Sequence, residues 1–240
     1  MSGAASLSVP GALNFRDTGG LRAGSTSTRS GVLYRSGNLF RVDDDGRRAL
    51  GELGLRRIID LRDDDEVRSE PTVLGDLPIR TQRVPLFLGS VASLFRADMS
   101  LESMYRSLVD ESAPRVLEVV RGVIADQPVL VHCTIGKDRT GVTIAMILAA
   151  AGVDEDAVVD DYARTETLLP AERNAPILAY LRAHHPDAPQ LVDLATRSPA
   201  PVMRALLADL RERFGSPAEY LRSHGLGDDE LDELRRIILL

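Results

Sequence analysis

Cys133 and Arg139 stand with five residues between them in the run His132-Cys133-Thr134-Ile135-Gly136-Lys137-Asp138-Arg139-Thr140-Gly141, a spacing that lets a curled loop hold an anion between a thiol and a guanidinium. A helix N-terminus and a neighbouring arginine are the surroundings that turn a thiol into a nucleophilic thiolate. Arg139 can present a planar fork to two oxygens of a phosphate, and loop amides from Thr134 to Thr140 can take the others. Attack by Cys133 on phosphorus would give a phosphocysteine that water hydrolyses in a second step, with the Thr140 hydroxyl donating to the departing sulfur. Cys133 is the only cysteine of the chain, so intramolecular disulfides and Cys-rich zinc sites are excluded.

The loop needs a strand before it and a helix after it. Val129-Leu130-Val131 supplies an apolar strand, and Thr140 to Ala151 an apolar helix whose positive end faces the loop. Val32 to Arg35, Arg57 to Leu61 and Pro128 to His132 read as short buried strands, and Arg80 to Leu86 alternates like a half-exposed one. Helical patterns lie between them, including Arg115 to Ala125, and the C-terminal third reads as wholly helical. There, Ser216-Pro217-Ala218-Glu219 has capping-box spacing, and Gly225 suits a helix end. The expectation is an α/β fold with a central, largely parallel sheet flanked by helices, in a single domain over residues 1–240. Phe87, Val91, Leu94 and Phe95 fall at helical spacing, as do Met104, Tyr105 and Leu108, so a helical insertion is expected within 87–112.

Composition narrows the function classes. The 240 residues are 44% hydrophobic and 27% charged, with a net charge of −7, which leaves no basic footprint for nucleic acid. An anionic substrate must therefore be captured locally. The first nine residues lack the basic and apolar regions of a signal peptide, and Val142 to Val153 is too short to cross a bilayer. A cytoplasmic protein, or one secreted without a recognisable signal peptide, is expected, without an integral membrane segment and as a monomer.

The loop resembles the signature of the protein tyrosine phosphatase superfamily. With Asn14-Phe15-Arg16-Asp17 upstream and Asp60-Leu61-Arg62 between, Gly136-Lys137-Asp138-Arg139-Thr140-Gly141 is similar to the mycobacterial tyrosine phosphatase B type, over positions 14 to 141. The resemblance implies a phosphatase-type fold with a helical lid at 87–112. It also implies no metal or other cofactor, and phosphotyrosine proteins as substrates, with breadth to phosphoserine, phosphothreonine and phosphoinositides. It makes Cys133 the nucleophile and Arg139 the phosphate ligand, with Lys137 and Asp138 as a distinctive loop pair. Thr134 stands where dedicated lipid phosphatases often carry lysine, which disfavours a purely lipid role. The chain has no tryptophan, so the Trp-Pro-Asp loop that usually carries the general acid is missing. Asp138 is the first candidate for that acid, Asp60 the second and Asp98 the third.

Blander readings compete with these. A lone cysteine is often a small core hydrophobe, but the residues around Cys133 argue against it. Gly136-Lys137 is followed by Asp138, not Ser or Thr, so the loop is not a Walker loop. His132 reads as a loop-orienting residue, His184-His185 as a solvated helix end, and Asp43 to Asp45 and Asp63 to Glu66 as loops or helix starts, the latter run bordering the site. Asn14 to Asp17 reads as a turn-fixing segment. A catalytically inactive module that binds phosphate esters through the same loop is the alternative function.

Overall fold

The computed structural model describes residues 8–86, 100–184 and 190–240. In chain order come β1 (Arg16–Asp17), β2 (Arg22–Ala23), β3 (Thr26–Ser27), β4 (Leu33–Ser36), α1 (Asp44–Glu52), β5 (Arg57–Asp60), α2 (Asp64–Ser69) and β6 (Arg80–Arg83). After them follow α3 (Leu101–Glu111), α4 (Ala113–Ala125), β7 (Val129–His132), α5 (Asp138–Ala151), α6 (Glu155–Ala163), α7 (Thr165–Leu168) and α8 (Ala171–His184). The chain ends with α9 (Gln190–Thr196), α10 (Ala200–Phe214), α11 (Pro217–Ser223) and α12 (Asp228–Ile238).

The main sheet has the order β1-β4-β7-β5-β6, and only β1 runs antiparallel to its neighbour. β4, β5 and β7 are buried at every residue, as strands covered on both faces must be. Alternate residues face opposite ways. Leu33, Ile59, Val129 and Val131 enter the larger core with α3, α4, α5 and α10, whereas Tyr34, Ile58 and Leu130 enter the smaller one with Leu50 of α1. Ser36, His132 and Asp60 are direct partners across the three central strands, so the strands end level and deliver their following loops to one edge. Binding sites in open α/β sheets lie at this carboxyl edge.

Element edges differ from the expectation where local signals are short. α5 begins at Asp138, not at Thr140, which brings Asp138 and Arg139 into its first turn. β6 stops at Arg83, and α4 starts two residues early, at Ala113. β1 and the β2–β3 hairpin are two residues per strand, too short for alternation to register. The predicted cap at α11 is formed, with Ser216 Oγ accepting from Glu219 N at 3.0 Å, and Gly225 follows with φ of +106°. Of the expected lid, Phe87, Val91, Leu94, Phe95 and Asp98 lie outside the described residues. Its later part is α3, whose Met104, Tyr105 and Leu108 are buried in the larger core, so this helix is packed as interior. No helix among the described residues is long and apolar enough to cross a membrane.

Candidate active site

The chain from Cys133 to Lys137 turns sharply between β7 and α5. Cys133 is buried, and its Sγ accepts the backbone N–H of Gly136 at 3.2 Å, so the loop curls back over the sulfur. Gly136 is required twice over. Its φ is +74°, and a Cβ there would come within 2.3 Å of the Ser36 carbonyl oxygen. Beneath the loop, Asn14 Nδ2 and Arg35 Nη2 both donate to the Gly136 carbonyl, at 2.8 and 3.0 Å.

A buried ion cluster carries those two donors. Asp161 of α6 pairs with Arg16 Nε at 2.8 Å and Arg35 Nη1 at 2.7 Å, and Arg16 donates in turn to Asn14 Oδ1. Burial and the charge of Arg35 bring the Arg16 guanidinium down to about 10, against the pull of Asp161. Burial works against ionisation of Asp161, yet the two arginines hold it below the usual carboxylate range. Two cations share one anion under the loop, which leaves a net positive charge in the interior on the side where an anion would bind. The Asn14-Phe15-Arg16-Asp17 segment therefore supports the loop from below. Asp17 fixes the neighbouring turn by accepting from Gly19 N and Gly31 N at 2.8 and 2.7 Å.

Arg139 faces a carboxylate. Its Nη1 and Nη2 donate to Glu66 Oε2 and Oε1 at 2.6 and 2.5 Å, and Thr134 Oγ1 donates to the same Oε1. Burial alone would lower the guanidinium; the Glu66 bonds and the charges of Cys133, Glu66 and Asp138 raise it instead. Glu66 is the third residue of α2, where its other tie is to Asp63 N in a reciprocal capping box. Its carboxyl also meets a burial cost, outweighed by Arg139 and Thr134, and is held down to about 2 from 4.5.

A carboxyl that ionises more readily folded than unfolded stabilises the fold fully above pH 4.5 and loses that contribution as the pH falls toward 2. The advantage of the wild type over Glu66→Gln in urea unfolding is expected to shrink across this window. A difference that stays constant there would disconnect the ion pair from stability.

Asp60 and Asp138 have unlike surroundings. Asp60 is buried and both its oxygens accept from Arg62, with contacts of 2.7 to 3.2 Å. Despite burial, the hydrogen bonds and the charge of Arg62 hold it below the carboxylate range. Asp138 is partly exposed beside the loop, and its Oδ1 accepts from Lys137 Nζ at 2.6 Å and Tyr105 Oη at 2.7 Å. The Lys137 side chain is buried and gives its other bond to the Arg197 carbonyl at 3.0 Å, so its ammonium braces Asp138 and the loop's flank.

Two further polar side chains beside the loop are buried. The Thr140 hydroxyl is buried with no hydrogen-bond partner among the described residues. His132 is buried, with Nδ1 at 3.2 Å from the Cys133 carbonyl and Nε2 at 3.8 Å from Asp60 Oδ2. Burial lowers its pKa and keeps the imidazole neutral. His184 is exposed and stacks on Tyr180, and His185 lies outside the described residues. Among the described residues no cluster of three His, Cys, Asp or Glu side chains could hold a metal.

Residues 7–240 match the model of a tyrosine phosphatase family. The chain is 31% identical to a triple specificity protein phosphatase, PtpB, of Mycobacterium tuberculosis, over 274 aligned positions that cover 96% of this chain and 98% of that one. It is also 31% identical to a tyrosine-protein phosphatase of Nostoc commune, over 88% of this chain and 75% of that one. Among solved structures, P. aeruginosa TpbA in complex with pTyr is similar at 24% identity and a TM-score of 0.39, over 69% of this chain and 88% of that one. The core catalytic domain of a PP-IP phosphatase of S. cerevisiae is similar at 20% identity and a TM-score of 0.42, over 74% and 91%.

Proposed function

We propose, for a chain that belongs to the tyrosine phosphatase family and is a protein-tyrosine-phosphatase-like hydrolase, that it cleaves phosphotyrosine through a phosphocysteine on Cys133, with breadth to phosphoserine, phosphothreonine and phosphoinositides. The observation that carries this reading is the curled loop itself, with Cys133 Sγ under the Gly136 amide at 3.2 Å at the mouth of the central strand. The name of the mycobacterial relative supports the breadth.

The thiolate of Cys133 attacks phosphorus; the P–S bond forms as the ester P–O bond breaks. Arg139 and the amides of Thr134, Ile135, Gly136, Lys137, Asp138 and Thr140 hold the equatorial oxygens. Among the described residues, four of the five N–H groups of Arg139 are engaged, two with Glu66, one with Thr134 at 3.3 Å and one with the Leu61 carbonyl at 3.4 Å. A phosphate therefore takes Nε and displaces the long bond to Thr134, while Glu66 keeps the guanidinium plane in place. The buried Thr140 hydroxyl, unbonded among the described residues, has a hydrogen to give when the sulfur sheds its bond to phosphorus.

The leaving oxygen takes a proton from Asp138, and in the second step water gives one back as it breaks the P–S bond. Asp60 is a poorer choice, because Arg62 already holds both its oxygens in the interior. A phenolate needs the proton and a nitrophenolate leaves unaided. Asp138→Asn is therefore expected to cut kcat for phenyl phosphate by about 10²-fold and for p-nitrophenyl phosphate only a few-fold. Asp60→Asn is the control, and the same selectivity in that variant alone would move the acid to Asp60.

Release of p-nitrophenol from its phosphate ester in EDTA tests the enzyme against a phosphate-binding module, which releases none. A panel of phosphotyrosine, phosphothreonine and phosphoinositide substrates compared by kcat/KM then tests the breadth.

A further inference from the structure

Asp138 is gripped by one oxygen only. Its Oδ1 takes the Tyr105 hydroxyl at 2.7 Å and the Lys137 ammonium at 2.6 Å, whereas Oδ2 makes no hydrogen bond among the described residues. Behind it, the Tyr105 and Tyr162 hydroxyls are 2.7 Å apart, and the two rings meet edge-on at 6.1 Å. The Tyr105 hydroxyl has one hydrogen, and a carboxylate can only accept, so that hydrogen goes to Asp138 and Tyr162 donates to Tyr105. Both tyrosines are fully buried, in α3 and α6, far from the chain position of the loop they touch. Burial and the facing Asp138 charge raise both phenols above their ordinary range, so they stay protonated donors.

We infer that Tyr105, backed by Tyr162, is a positioning residue for proton transfer by Asp138, fixing Oδ1 so that Oδ2 is the oxygen that holds and delivers the proton. This rests on the assignment of Asp138 as the proton donor. As the ester P–O bond breaks, the proton on Oδ2 passes to the leaving oxygen, and the attacking water later returns one to Oδ2. A carboxyl free to rotate on its stem would spend much of its time with the wrong oxygen forward. Two fixed donors on Oδ1 remove that freedom. The Tyr105–Tyr162 pair also ties the donor to α3 and α6, so its position is set by the core.

The test compares phenyl phosphate with p-nitrophenyl phosphate in wild type, Tyr105→Phe, Tyr162→Phe and Asp138→Asn, each checked for an unchanged melting transition. Tyr105→Phe keeps the ring and removes the hydroxyl. It is expected to lose about tenfold in kcat on phenyl phosphate and less than about threefold on the nitro ester, with KM unchanged, as for a general acid loosened and not removed. Tyr162→Phe leaves the bond to Asp138 but strips its backing donor, and is expected to show the same selectivity at smaller size. It also carries the test if Tyr105→Phe does not fold. Equal losses on both esters, or none, with selectivity still present in Asp138→Asn, would overturn the positioning role alone. Absence of selectivity in Asp138→Asn itself would overturn the donor assignment and this inference together.

Discussion

Cys133→Ser is expected to reduce turnover on the order of 10⁴- to 10⁶-fold, the scale of removing a covalent nucleophile, while phosphate-ester binding survives. An alcohol is far less ionised than a thiol, and the loop is arranged around an anion: the Gly136 amide donates to Sγ, and α5 opens immediately beyond. None of the groups assigned to phosphate, Arg139 and the loop amides, is altered by the change. Calorimetric binding of a phosphotyrosine peptide should thus remain within a few-fold of wild type, whereas release of phosphate should fall to background. Substantial residual turnover would sink the covalent mechanism. Unchanged turnover with intact binding would mean that water attacks directly and that Cys133 merely lines the pocket. The same pair of measurements separates the enzyme from an inactive module, because the module binds equally well with either residue and turns over with neither.

The nucleophile and the sheet are legible in the sequence because each rests on local signals. Val129 to Val131 is an unbroken apolar run, and the cysteine, glycine and arginine of the loop lie within ten consecutive residues. The supports are long-range and could not be read that way. Arg35 sits at the end of a strand and looks like ordinary polar punctuation until Asp161, 126 positions away, pairs with it. Tyr105 reads as one apolar helical position among several, and only the fold brings its hydroxyl to Asp138, 33 positions on. Glu66 had a partial signal, an acidic run ending in capping-box spacing after Asp63, but a cap explains it without any appeal to Arg139. The placement of Lys137 is likewise a tertiary fact. Its side chain turns to the Arg197 carbonyl between α9 and α10, which no motif could announce.

Arg139→Lys is the second substitution of large expected effect, and Glu66 makes it more than a test of charge. Lysine keeps the cation but has one nitrogen where arginine has three in a plane. Arg139 engages Glu66 through both Nη atoms, so the fork is spent end-on against the carboxylate and its Nε edge remains for phosphate. One ammonium cannot hold both partners. In the lysine variant Glu66 retains, among the described residues, only Thr134 Oγ1 and Asp63 N as full donors, and a poorly neutralised carboxylate then stands beside the incoming phosphate. Loss of two-point binding together with that repulsion predicts a fall in kcat/KM on the order of 10³-fold. The repulsive part is separable, because Glu66→Gln added to Arg139→Lys removes the charge and should restore roughly tenfold of the loss, although Glu66→Gln alone impairs the wild type by unfixing the guanidinium. Such a sign reversal is a coupling that two distant, independent groups do not show. If Glu66→Gln lowers kcat/KM by the same factor in both backgrounds, the carboxylate does not act through Arg139, and the ion pair belongs to the stability of α2 rather than to phosphate binding.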